Sequence, residues 1–112
     1  MEPLRRRADF EQVFASGKFV RGRALAVRVL ARGEGPSRVG YAVGKRLDKR
    51  AVIRNRARRR LREAIRRTPL QDGYDVVVLA RRAVLEDEFE ALVGDVESVF
   101  RRAGLLGEGG AG

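Results

Sequence analysis

Apolar and polar positions follow two different periods along this chain, and the changes of period mark its elements. Phe10, Val13 and Phe14 recur at i, i+3 and i+4, the spacing of one helical face. They predict a short helix over residues 8–15, with Gly17 placed to stop it. Residues 19–31 read as one strand: Leu25, Val27 and Val29 share a face, although Arg21, Arg23 and Arg28 do not alternate cleanly. Gly33, Gly35, Pro36 and Ser37 mark a turn, and residues 38–43 read as a second strand, so the pair is expected to form an antiparallel hairpin. Residues 50–67 carry the longest helical signal. Ile53, Ala57, Leu61, Ala64 and Ile65 make its apolar stripe, and Thr68-Pro69 should end it.

After a turn at residues 71–74, the run Val76-Val77-Val78-Leu79 predicts a buried strand over residues 75–80. A last helix is expected over residues 86–103, with Phe89, Leu92, Val93, Val96, Val99, Phe100 and Ala103 on its apolar face. Acids crowd its first turn and Arg101-Arg102 its last, as the helix dipole favours; Gly104 suits the position just past its end. The order helix, strand, strand, helix, strand, helix predicts an α+β protein, a small α/β sandwich with helices packed on a sheet. Residues 1–106 are expected to form a single domain, and residues 107–112 a flexible Gly-rich tail.

Composition narrows the chemistry. There is no cysteine and no histidine. Disulfides and thiolate metal sites are therefore excluded, and the commonest general base and zinc ligand are missing. No apolar run approaches the ~20 residues that span a bilayer, and residues 1–10 lack the apolar stretch of a secretory signal. A soluble, cytoplasmic protein is expected.

Charge changes the picture most. The net charge is +10. Residues 45–67 hold twelve basic residues against Asp48 and Glu63, while the rest of the chain carries thirteen of each sign. A concentrated block of this kind implies a polyanionic partner, nucleic acid or an anionic membrane surface, more than plain solubility. Arg50, Arg54, Arg58 and Arg62 lie four apart, and Arg56, Arg59, Arg60, Arg66 and Arg67 widen the basic face. Like charges at that spacing cost ~0.2–0.5 kcal/mol per pair, so the row costs on the order of 1 kcal/mol, with Glu63 expected to relieve Arg59. A bound polyanion would offset that cost. Arginine can grip phosphate with two parallel hydrogen bonds and stack on bases. Asn55, between Arg54 and Arg56, is either simply solvated or able to reach a phosphate, a 2′-hydroxyl or a base edge.

The stretch Ala51-Val52-Ile53-Arg54-Asn55-Arg56-Ala57-Arg58-Arg59-Arg60-Leu61-Arg62-Glu63-Ala64 resembles the signature helix of the bacterial ribonuclease P protein family, with its Arg-Asn-Arg core and following basic residues. Val39-Gly40 to Val43 with Lys45-Arg46 resembles the family's strand leading into a basic pair. Asp9-Phe10, Val13-Phe14 and Gly17 resemble its first helix, and Asp75 to Ala80 with Arg81 its hydrophobic strand. The likeness runs from about Leu4 to Ala103. It departs at the approach to the basic helix, which lacks the family's glycine and is one residue longer, and at Arg28, where the family carries an aromatic.

The resemblance implies a function that composition does not. It implies the protein subunit of ribonuclease P, in which the RNA subunit is the catalyst and holds the magnesium ions, with none bound by the protein alone. The protein would bind that RNA through Lys45, Arg46, Lys49, Arg50, Arg54, Asn55, Arg56, Arg58, Arg59 and Arg62. Phe10, Phe14, Ala26 and Arg28 would line a cleft for the single-stranded 5′ leader of precursor tRNA. Without the resemblance, ordinary core packing is the favoured reading of Phe10 and Phe14. The family also implies a mixed sheet with a left-handed β-α-β crossover and a protein that is monomeric outside the complex. Three rivals share part of the pattern. A ribosomal or RNA-chaperone protein would share charge and size. A protein-only nuclease would need clustered carboxylates for metal ions. A DNA-binding domain would spare more helix positions for base readout.

Overall fold

The computed structural model describes residues 1–107, so the expected tail lies outside the described residues except for Gly107. The elements are β1 (Glu2–Pro3), α1 (Arg7–Ser16), β2 (Lys18–Arg21), β3 (Leu25–Ala31), β4 (Arg38–Ala42), α2 (Ala51–Arg66), β5 (Tyr74–Ala80), α3 (Ala83–Glu86) and α4 (Phe89–Arg102). The five strands form one mixed sheet in the order β1-β4-β5-β3-β2. β1 and β5 run parallel to β4, while β3 runs antiparallel to both β5 and β2. The α+β class, with helices on a mixed sheet, is as the sequence predicts.

Three local expectations are corrected. The segment at residues 19–31 is two strands, folded on each other about Gly22 to Ala24, with Val20 opposite Val27 and Phe19 opposite Arg28. The irregular alternation of its arginines reflects that break. Second, β3 and β4 do not form a hairpin, because β5 lies between them. β5 is the one strand with an unbroken apolar run, and burial of Val76, Val77 and Val78 on both faces favours the middle of a sheet. Third, the last helix begins at Phe89 rather than at residue 86: Asp87 and Glu88 are extended, and Glu86 instead ends a separate short helix, α3. The Asp87 carboxylate is drawn to Arg23 there, with hydrogen bonds of 3.0 and 2.9 Å.

The alternation of each strand divides the core. On one face Leu25, Val27, Val29, Val39, Val76 and Val78 pack with Leu61, Ile65, Leu92 and Phe100 of α2 and α4. On the other face Val77 packs with Val13 of α1 and with Leu4. α4 ends in a Schellman motif: Gly104 at φ 77° lets its own N–H and that of Leu105 reach the carbonyls of Arg101 and Phe100, at 3.1 and 2.9 Å. Asp75 is buried, and Arg38 grips it at both oxygens, 2.8 and 2.6 Å. Among the described residues no buried side-chain nitrogen or oxygen lacks a partner.

Candidate nucleic-acid interface

The basic helix α2 turns Ala57, Leu61, Ala64 and Ile65 into the core, with Ile53 half-buried at the start of the stripe. Helical geometry then points Val52, Asn55, Arg56, Arg59, Arg62, Glu63 and Arg66 outward, and all are exposed. Among the described residues Arg56 and Arg59 enter no ion pair. Glu63 pairs with Arg66, three residues on, at 3.0 Å rather than with Arg59. Lys45, Arg46 and Lys49 are exposed on the loop that leads into the helix.

The arginine row at spacing four is not uniform. Arg50 donates to Asp48 from Nε and Nη2, at 3.0 and 2.9 Å. That hydrogen-bonded pair holds the Asp48 carboxyl well below the usual carboxylate range and raises the Arg50 guanidinium. Arg82 adds a second cation to Asp48 at 3.5 Å and donates to the Leu47 carbonyl. Arg54 is half-buried, and its Nη1 donates to the carbonyls of Lys49 and Asp48, at 2.7 and 3.1 Å. Arg58 donates to Asn55 Oδ1 at 2.7 Å, which also engages the amide of Asn55. The Arg62 guanidinium sits 5.5 Å from the centre of the Tyr41 ring, whose hydroxyl is pushed above its ordinary pKa by burial. Arg60 turns away from solvent: Nε donates to the Val84 carbonyl at 2.8 Å, Nη2 donates to the Asp87 carbonyl, and the guanidinium lies over Phe89. The repulsion inferred from spacing is thus offset largely by local partners. The outward stripe and the loop lysines are what remain for a polyanion.

The opposite face of the sheet carries the aromatic residues. Register puts Gly40, Val77, Arg28 and Phe19 in one rung across four strands, and Ala42, Leu79, Ala26 and Arg21 in the next on the same face. α1 crosses this face. Phe10 presses onto Gly40 so closely that a Cβ there would come 2.3 Å from the ring, so glycine sets how near α1 can approach. Val13 is fully buried over Val77. Phe14 is 40% exposed, with the Arg28 guanidinium 5.7 Å from its ring centre. Of the four residues proposed to line a cleft, Phe10 is half-buried as packing, Ala26 is a buried small residue, and Phe14 and Arg28 form an accessible edge. Phe19 was missing from that set; it is 47% exposed, and Arg28 lies 5.0 Å from its ring centre.

The two surfaces meet. A cleft of about 480 Å³ is lined by Leu4, Phe10, Tyr41, Arg58, Arg62 and Arg66. It runs from the flank of the basic helix to the first aromatic residue of α1. A second basic hollow gathers Arg23, Arg46, Arg81 and Arg82 beyond the end of β5. Among the described residues no group of three or more histidine, cysteine or acidic side chains could hold a metal ion, and no helix is long and apolar enough to cross a membrane.

Known proteins resemble this arrangement in sequence and in fold. The family model for ribonuclease P matches residues 1–104. The ribonuclease P protein component of Symbiobacterium thermophilum is 49% identical over 106 residues, covering 92% of this chain and 91% of that protein. That of Gluconacetobacter diazotrophicus is 40% identical over 108 residues, covering 93% and 92%. Among solved structures, the RNase P protein of Thermotoga maritima superposes with a TM-score of 0.79 at 29% identity, covering 91% of this chain and 97% of that one. The Staphylococcus aureus RNase P protein shares the fold, with a TM-score of 0.80 at 24% identity over 96% and 99% of the two chains. An arginine-rich helix on one side of a mixed sheet, an aromatic helix on the other, and a family match over nearly the whole described chain lead to one conclusion: the chain belongs to the bacterial ribonuclease P protein family.

Proposed function

We propose that this ribonuclease P protein subunit binds the catalytic RNA with the outer stripe of α2 and the loop before it, and holds the 5′ leader of precursor tRNA between α1 and the sheet. The observation that carries this reading is the meeting of the two surfaces at Phe10, where the cleft beneath Arg58, Arg62 and Arg66 opens beside the aromatic face. A polyanion bound along α2 is thereby within reach of a single strand crossing the sheet. Phosphates neutralised by Lys45, Arg46, Lys49, Arg56, Arg59 and Arg62 supply affinity without reading sequence. Exposed aromatic rings favour unpaired bases, whose faces are free to stack.

Magnesium chemistry is assigned to the RNA partner. Carboxylates within the basic region are few, and Asp48 and Glu63 are each engaged by arginine. The protein's part is to position: the leader is gripped beyond the cleavage point, so substrate bearing a leader binds better than mature product. The subunit is read as a cytoplasmic monomer outside the complex.

The test is reconstitution. Added to a ribonuclease P RNA at low magnesium, the protein should stimulate removal of the leader. The absence of stimulation across bacterial RNAs would refute the reading in favour of a ribosomal or chaperone role. In the reconstituted enzyme, Phe14→Ala should lower affinity for leader-bearing precursor while leaving affinity for mature tRNA unchanged. An equal fall in both, or none, would make Phe14 ordinary packing.

A further inference from the structure

We propose that Phe19, on the edge strand β2, completes a clamp with Phe14 and Arg28 that holds one nucleotide of the single-stranded leader; this rests on the leader-binding reading above. Phe14 and Phe19 are the two phenylalanines left strongly exposed, at 40% and 47%. They come from different elements, yet both converge on the guanidinium of Arg28, at 5.7 and 5.0 Å. Burial alone would have turned these rings inward, as it does Phe100. Their exposure together marks a surface that something covers.

The chemistry of the cluster identifies the occupant. Among the described residues Arg28 enters no ion pair. Its charge is met by ring faces, which attract a cation through their quadrupole and leave its N–H edges free. Those edges fit a phosphate, which they can grip with two parallel hydrogen bonds. The outer faces of two rings fit the flat face of a base. A flat base joined to a phosphate is a nucleotide. Because every base has a π-face, the clamp favours unpaired strand over duplex and tolerates any sequence. Neighbouring charge agrees: Arg21 shares the face one rung away. β2 is the last strand of the sheet, so a chain passing over Phe19 runs off an open edge. An acidic peptide would satisfy the cation but not the rings.

The test uses the reconstituted enzyme with matched substrates, with and without the leader. Phe19→Ala and Phe19→Leu should each lower affinity for the leader-bearing substrate by about 5- to 150-fold, with the leaderless substrate unchanged. Phe19→Tyr, which keeps the ring, should bind as the unaltered protein does. Arg28→Gln should flatten the salt dependence of leader-bearing affinity by about 0.7 in slope. Thermal melts confirm that each variant is folded. Full affinity in Phe19→Leu would overturn the clamp, since apolar area rather than stacking would be the cause. Leader discrimination lost in Phe14→Ala but kept in Phe19→Ala would also overturn the clamp while leaving the leader-binding reading intact. Discrimination kept in both would sink the leader-binding reading itself.

Discussion

Arg60 lies in the most basic stretch of the chain, and its replacement by alanine should unfold the protein more readily than it weakens RNA binding. The side chain ties α2 to the break between α3 and α4: its guanidinium donates to the carbonyls of Val84 and Asp87 and covers Phe89. A hydrogen bond from a charged group contributes ~1.5–3 kcal/mol, and a cation over a ring ~0.5–1 kcal/mol at an exposed site. Arg60 is half-buried, so water replaces part of what is lost. The net cost is therefore placed below the sum, at about 2–4 kcal/mol. At roughly 4 °C per kcal/mol for a domain of this size, the melting temperature should fall by ~8–16 °C. Arg56→Ala and Arg59→Ala, on the exposed side of the same helix, should stay within ~0.5 kcal/mol. Thermal and urea melts of the three variants, alongside binding to ribonuclease P RNA, make the comparison. If Arg60→Ala melted with the other two and lost RNA affinity as they do, Arg60 would belong to the RNA face and the contacts above would carry no weight.

RNA binding should weaken steeply with salt, and Arg56→Ala and Arg59→Ala should each reduce the slope of log K against log salt by ~0.7–0.9; a slope unmoved by both would remove the outer stripe from the interface. Arg54→Ala should behave differently, lowering stability with little change in slope, because its guanidinium is already held by the carbonyls of Asp48 and Lys49. Asp48→Asn should destabilise the protein near neutral pH. The carboxyl is depressed in the folded state, so its contribution is present above the ordinary carboxylate value of ~3.9 and is lost as pH falls through the depressed one. The gap in melting temperature between Asp48→Asn and the unaltered protein should narrow in acid, and a gap constant from pH 7 to pH 3 would contradict the pairing. Leu61→Ala, at a fully buried position, should cost ~2–5 kcal/mol; a cost under 0.5 kcal/mol would mean that α2 faces the other way.

Much of this could be read from the sequence where the signal is local. The α2 stripe appears at its helical spacing because burial of Ala57, Leu61, Ala64 and Ile65 follows directly from 3.6 residues per turn. The C-terminal glycine of α4 is legible for the same reason: the bonds it allows, from Gly104 to Arg101 and from Leu105 to Phe100, span only three and five residues. What failed was non-local. Nothing between residues 31 and 38 announces that β5 will enter between β3 and β4, and a short connection normally argues for a hairpin. At the interface, net charge was legible and its distribution was not. Arg60 and Arg59 are indistinguishable in composition, and only contact with Val84 and Asp87, more than twenty residues away, separates them. Phe19 is not legible in this way, because its partner Arg28 is reached through the β2–β3 register, which exists only once residues 18–31 divide into two strands.

The central place of β5 has a consequence for how the chain is made. β3 and β4 emerge early in synthesis, yet neither can use the other as a partner, and β1 and β2 cover only their outer edges. Until about residue 80 has left the ribosome, the sheet is missing its middle. Two strand edges stay open, and the apolar faces of Val27, Val29 and Val39 have no helix α4 to cover them. Pairings so distant in sequence close slowly, and open edges invite association with other chains. A nascent chain carrying so many arginines is shielded meanwhile by its own repulsion. The apolar stripe of α2 waits for the same event, since Leu61 and Ile65 pack in one core with Val76, Val78, Leu92 and Phe100.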